Sequence, residues 1–529
     1  MPGSIAVARL VVGILLAALV CFPRNSRGQL PDALPPSHPS AVEERLRLLE
    51  ANNARLLELL ERDRNDADRR YRELEERYRD LQRRIEEPKG EAEVGGDAPI
   101  GRNSHLGRPG ELGRRSAEND RKLKASLGDG FGLSSTDDEF ELRFHVLDQT
   151  DFKNFVPNDR TYGKSGLYIP RVRVYLEGRL TRYWEYEVSL QRSLEGAWDL
   201  LDGNVNFRYS DGLQVKFGRM LVPYSYEWFD HLEQYFIAPE RALFPLNFGL
   251  SRQAGLMLWG RQLDGRLDYA IGGFNGHLSG LADNNPNQEA VGYFNARPFL
   301  QSEAFPALRH LYVGASGSIG QVARPEATLP LRTSVQSAEN DEAANDSTVI
   351  FLKFNDAAIY RGNRQFGAIH LAYYAGGLSI ESEYNAGQFQ MFRPGLQRLA
   401  NIPTTGFHAT VGYFVTGEQV ERRTTVIPLR PFQPLQAGGW GPGAIEPFAR
   451  FSQLSLGNSV FDEGLAEANL WSNRANLVDV GLNWYPNRWV KFYFDWQHAN
   501  FGSPVLINEG RQTFGRASDM FWIRCQVYF

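Results

Sequence analysis

A period-two alternation runs from about residue 140 to the C-terminus, and it limits the folds open to this chain more than any other feature. In "EFELRFHVL", Phe140, Leu142, Phe144 and Val146 alternate with Glu141, Arg143 and His145. In "PRVRVYLEG", Val172, Val174 and Leu176 alternate with Arg171, Arg173, Tyr175 and Glu177, and "YWEYEVSLQ" and "RWVKFYFDWQH" repeat the pattern. Successive side chains of a strand point to opposite faces, so each segment reads as a strand with one apolar, often aromatic face and one charged face. The last ten residues, "MFWIRCQVYF", follow the same rule: Phe521, Ile523, Cys525, Val527 and Phe529 share one side, and Trp522, Arg524, Gln526 and Tyr528 the other.

Alternation alone suits both a soluble sandwich and a membrane barrel. Four further features favour the barrel. The alternating segments run to about nine or ten residues, enough to cross a bilayer when tilted. Aromatics such as Trp184, Tyr413, Trp484, Trp489 and Tyr528 stand at segment ends, where interfacial girdles form. Long polar stretches, "SEAFPALRH", "RPEATLPLRTSVQSAENDEAANDS" and "QPLQAGGWGPG", read as long loops and contrast with short links such as "YPNRW". The chain also stops on a strand whose last residue is Phe529; this terminal aromatic resembles the signal by which the outer-membrane assembly machinery recognises its clients. Outside the N-terminus, no stretch approaches the ~20 apolar residues of a membrane helix.

The N-terminal part has a different composition. Arg9 precedes an apolar run from Leu10 to Phe22, and Ser26 and Gly28 supply small residues, so residues 1–28 read as a signal peptide cut near Gln29. With Cys21 lost to that cut, Cys525 stands alone and no disulfide or thiolate metal site is expected. Residues 29–40 read as a linker. Residues 41–87 lack Gly and Pro and carry a seam at Leu46, Leu49, Asn53, Leu56 and Leu60. The seam resumes at Ala67, Tyr71, Leu74, Tyr78, Leu81 and Ile85 after a four-residue stutter, which predicts a self-associating coiled coil. The Gly- and Pro-rich residues 88–125 read as a flexible linker, and residues 126–529 as the barrel domain.

Three stretches carry a family resemblance: "LQVKFGRMLVPYSYE" followed by "IAPERALFP", then "VGYFVTGEQ" with "EPFARFSQL", then "VDVGLNWYPNRWVKFYFDWQH". Over roughly residues 125–529 the chain resembles the phosphate-selective porin O and P family. The resemblance implies an all-β transmembrane barrel of about 16 antiparallel strands, usually trimeric, in the outer membrane. It also implies inward-folded loops and basic side chains that conduct anions such as phosphate or polyphosphate. The coiled coil lies outside it and reads as an added envelope-spanning or trimerising arm.

On the alternation, Arg143, Arg171, Arg173, Arg208, Lys216, Lys491 and Arg524 occupy the face away from lipid. Rings of such charges are one way a pore selects anions. The long insert from Val222 to Gly249 is a candidate constriction loop that would pack its aromatics on the wall and leave Arg241 and His231 near the opening. Glu141, Glu177, Glu185, Glu187, Glu381, Glu383, Asp479 and Asp495 share the inner face, and from Arg121 onward 38 basic residues meet 42 acidic ones. The expected lumen is therefore mixed, which leaves open a general porin without anion preference, or a barrel that anchors a coiled-coil spacer.

Formal net charge is only -5, so no bulk basic field points to nucleic acid. Of 58 Lys and Arg residues, 50 are Arg, whose planar fork suits oxyanions. No nucleophile with a positioned base, phosphate loop or Cys/His metal spacing appears, so neither an enzyme nor a cofactor is expected.

Overall fold

The computed structural model describes residues 123–529, apart from positions 129, 138, 277–286, 336–341 and 436–440 and the side chains of 323–325. The expected signal peptide, the 29–40 linker, the coiled coil and the 88–125 linker up to residue 122 lie outside the described residues.

Sixteen antiparallel strands form a closed barrel. They are β1 (Glu141–Val156), β2 (Gly166–Thr181), β3 (Trp184–Arg192), β4 (Asp199–Ser210), β5 (Leu213–Leu221), β6 (Arg252–Gln262), β7 (Leu267–Phe274) and β8 (Glu289–Ala296). The circle continues through β9 (Leu311–Ala327), β10 (Ile359–Ala375), β11 (Leu378–Phe392), β12 (Ala400–Tyr413), β13 (Ala444–Leu456), β14 (Arg474–Tyr485), β15 (Val490–Asn508) and β16 (Thr513–Tyr528). Each strand pairs with its sequence neighbours, and β16 closes on β1 from Tyr528 opposite Leu147 to Asp519 opposite Val156. A hairpin, Leu123–Gly128 and Gly130–Ser135, continues the sheet below the end of β16 by pairing with Glu141–Phe144 of β1. Among the described residues no helix is long and apolar enough to cross a membrane.

The alternation explains the closure. Outward side chains such as Leu167, Phe217 and Ile369 are apolar and 74, 67 and 62 % exposed, as lipid-facing groups are. Their inward neighbours are less exposed: His370 beside Ile369 is buried, and Lys216 beside Phe217 and Tyr168 beside Leu167 are partly buried. A ring of strands leaves no open edge in hydrocarbon, so the backbone polar groups are satisfied without water.

One mouth of the barrel carries short links, 182–183, 211–212 and 376–377, together with the start of β1 and the end of β16. Two stretches expected among the long loops, "SEAFPALRH" and "QPLQAGGWGPG", belong to this same short-turn mouth, within 297–310 and 414–443. Which mouth a loop occupies depends on the parity of the strand count, which loop composition does not reveal. The opposite mouth carries 222–251, 275–288, 328–358 and 457–473.

Candidate functional site

The insert after β5 folds into the lumen. Its first helical turn, α1 (Tyr226–Phe229), starts at Ser225, whose side chain accepts from the Trp228 N–H, while its second, α2 (Leu243–Phe248), is almost wholly apolar. Ser225 Oγ also donates to Glu383 of β11 at 2.7 Å, which ties α1 to the wall. Phe244 and Phe248 of α2 pack on Phe366 of β10, and Phe248 also on Phe389 of β11. Gly406 of β12 permits this seat, since a Cβ there would collide with Phe244. With residues of 328–358 and 457–473, these aromatics belong to one apolar core inside the barrel, which draws most of its strand residues from β9–β16 and also takes in Met220, Met257, Phe274 and Tyr293.

Charge fixes the rest of the insert. Arg171 of β2 donates to both oxygens of Glu240 at 2.7 Å, and Arg173 to Glu233 at 2.5 and 3.0 Å. Arg241 of the insert reaches the same Glu233 at 3.0 Å and lies over the Trp228 ring, 4.1 Å from its centroid. Backbone carbonyls of the insert accept from Lys491 Nζ (Phe236, 2.6 Å), Asn483 (Ile237, 2.8 Å) and Gln526 (Gln234, 3.0 Å). Arg524 pairs with Asp151 at 2.6 and 2.9 Å and also donates to the Pro239 carbonyl. Burial raises the Glu233 carboxyl, but the charges of Arg173, Arg241 and Arg252 outweigh it and hold the group well below the usual carboxylate range. Burial, with Arg423, Arg422 and Arg241 around it, keeps His231 far below its ordinary value and hence neutral.

A second insert, 414–443, enters from the short-turn mouth and meets the first. Arg422 pairs with Asp230, and Arg423 donates to the Tyr235 carbonyl at 3.3 Å and to both Glu446 oxygens at 2.6 and 3.1 Å.

Space persists on the other side of the lumen. A cavity of about 410 Å³ opens at the short-turn mouth, lined by Glu141, Glu177, Glu185 and Glu187 and by Arg143, Arg179, Arg208 and Lys216. A second, of about 240 Å³, lies beside the insert residues Phe229, Leu232 and Gln234 and shares Glu177, Glu187, Lys216 and Trp259 with the first. Within this region Glu141 pairs with Arg143 and Arg179, Glu185 with Arg208, and Glu177 lies 3.3 Å from His145. Lys216 stands 3.7 Å from Glu187, with Nζ 5.5 Å from the Trp259 ring centroid.

The eight basic residues singled out in the sequence thus fall into two groups. Arg143, Arg208 and Lys216 line the open cavity. Arg171, Arg173, Arg241, Lys491 and Arg524 are buried against the insert, and their partners are carboxylates or carbonyls. Arg241 and His231 do not border an opening; each is about 1 % exposed. Sequence reasoning missed Glu233 and Glu240 as the partners of the β2 arginines. The only signal was that the insert itself carries carboxylates, in "WFDHLEQYFIAPER". It also missed Asn204, Asn206 and Trp259, inward positions on β4 and β6 with no charge to draw attention.

The family described as phosphate-selective porin O and P matches residues 141–500. Porin O of Pseudomonas aeruginosa is 23 % identical over 383 residues, covering 68 % of this chain and 83 % of that protein. OmpT of Vibrio cholerae in its trimer form superposes with a TM-score of 0.44 at 11 % identity, covering 74 % of this chain and all of that one. The anion-selective porin from Comamonas acidovorans gives 0.43 at 11 % identity with the same coverage of this chain.

Proposed function

Because the chain belongs to the phosphate-selective porin O and P family and forms an outer-membrane porin channel, we propose that it is a passive diffusion pore whose path runs along β1–β6. The observation that carries this reading is the pair of neighbouring cavities that share Glu177, Glu187, Lys216 and Trp259 in their linings. Of the eight basic residues, Arg143, Arg208 and Lys216 face the solute, and the other five hold the insert.

Each basic group of the path has a carboxylate within ion-pair distance. Small anions such as phosphate therefore pass without strong preference over cations, because the fixed field that would exclude cations is largely cancelled. The family supports a second reading, phosphate selectivity, in which the same three cations act as the anion's stepping points. In planar bilayers under a salt gradient of KCl, the first reading expects a reversal potential close to zero. A value near that of an ideally anion-selective pore would decide for the second.

Three further features belong to this proposal: export by a cleaved 1–28 signal peptide, assembly as a homo-trimer, and a 41–87 coiled-coil arm. The three-four seam in 41–87 supports the last two.

A further inference from the structure

The junction of the two cavities has chemistry that a simple water-filled pore does not need. Glu177 of β2 and Glu187 of β3 stand directly opposite each other in register, both on the inner face. Like charges placed so are unfavourable unless something compensates them. The groups that approach them differ: the His145 ring lies 3.3 Å from Glu177, whereas Glu187 has the Lys216 ammonium at 3.7 Å and accepts from the Asn204 amide at 3.3 Å. The Lys216–Glu187 contact is looser than the vestibule pairs of Glu141 with Arg143 (2.6 Å) and Arg179 (2.9 Å). All three side chains are partly open, Glu177 by 42 %, Glu187 by 28 % and Lys216 by 21 %. They face the cavity of about 410 Å³, with the Trp259 indole as its apolar wall.

We infer that this junction is a binding subsite for small zwitterionic solutes of the amino-acid type, resting on the reading of β1–β6 as the solute path. The ammonium group of the solute lies between Glu177 and Glu187 and relieves their repulsion. Its carboxylate takes the Lys216 ammonium, so the loose Lys216–Glu187 pair is exchanged for two charge-assisted contacts. The Trp259 face accommodates the solute's carbon skeleton. A free anion finds one cation here beside two carboxylates, and a free cation finds Lys216 in its way. Only a molecule carrying both charges satisfies both sides.

The test uses the full chain in planar bilayers, with glycine, acetate and methylammonium each added at equal concentration and neutral pH. Glycine is expected to reduce the ion current at concentrations where acetate and methylammonium have little effect. Glu187→Gln and Lys216→Gln, each compared with its own unblocked current, are expected to raise the half-blocking concentration about tenfold, the change expected from losing one charge-assisted hydrogen bond. Arg511→Gln, at an exposed pair with Asp159 on a loop, is expected to leave the block as it is. Equal block by acetate and glycine, or a glycine block unaffected in both path variants, would overturn the subsite while leaving the channel intact. Absence of any current from the assembled chain would instead overturn the channel reading itself.

Discussion

Replacing both Arg171 and Arg173 by glutamate is expected to release the 222–251 insert from the β2 wall and to enlarge and destabilise the ion current. The two arginines stand two residues apart on one face, and their forks hold Glu240 and Glu233 in buried, bidentate pairs. Removing one member of such a pair costs roughly 3–5 kcal/mol because a buried charge loses its partner. Glutamate at both sites goes further, since it sets four carboxylates against one another and leaves Arg241 as the remaining close partner of Glu233. The aromatic seat of α2 on Phe366 and Phe389, the Ser225–Glu383 bond and the carbonyl contacts of Lys491, Asn483, Gln526 and Arg524 then hold the insert without its two ion pairs to β2. Single-channel recording should show a larger conductance with frequent fluctuation, and limited proteolysis should cut within the insert. A stable current of unchanged size whose reversal potential alone moves toward cation preference would mean that these arginines border the path.

Deleting Phe529 is expected to lower the amount of assembled, heat-modifiable barrel while export across the inner membrane continues. The residue sits at the seam: Val146 N donates to its carbonyl at 2.9 Å, and its N–H donates to Val146 O at 3.2 Å. Those bonds are the last of the β16–β1 ladder before the N-terminal hairpin takes over the edge of β1. Each contributes only ~1 kcal/mol net, so the folded barrel tolerates their loss. The larger effect falls on assembly, because the outward row Ile523, Cys525, Val527 loses its terminal aromatic and closure loses its final pair. Semi-native electrophoresis with and without heating measures this, and an unchanged heat-modifiable fraction would contradict the role given to the terminal strand.

The fold was largely legible because lipid and lumen demand opposite side chains from adjacent positions, and a period of two is visible in sequence without knowing any partner. Strand length was less so. Segments of nine or ten residues were expected, yet β15 extends over 19 residues, since polar positions such as Asn500 and Ser503 continue the strand beyond the apolar band. The inner face of Arg171 and Arg173 was also legible, but their partners were not. Glu240 lies 69 residues from Arg171 and Glu233 lies 60 from Arg173, and only the inward turn of the insert brings them together. Nothing in the alternation distinguishes an inward arginine that meets water from one that meets a buried carboxylate. Pairing across a closed lumen depends on strand register and loop path, and neither is a local property. The meeting of Arg422 with Asp230 from opposite mouths was hidden for the same reason.

The central claim, that solutes pass along β1–β6 and not along β9–β16, can be tested by blocking each side in turn. With Cys21 and Cys525 replaced by serine, a single cysteine is placed either at Arg208, on the inner face of β4 in the open cavity with its side chain 41 % exposed, or at Ala368, buried on the inner face of β10. A bulky, water-soluble thiol reagent is then added during single-channel recording. Strong reduction of the current at Arg208→Cys with no change at Ala368→Cys is the predicted result; a block at Ala368→Cys, with Arg208→Cys unaffected, would contradict the account.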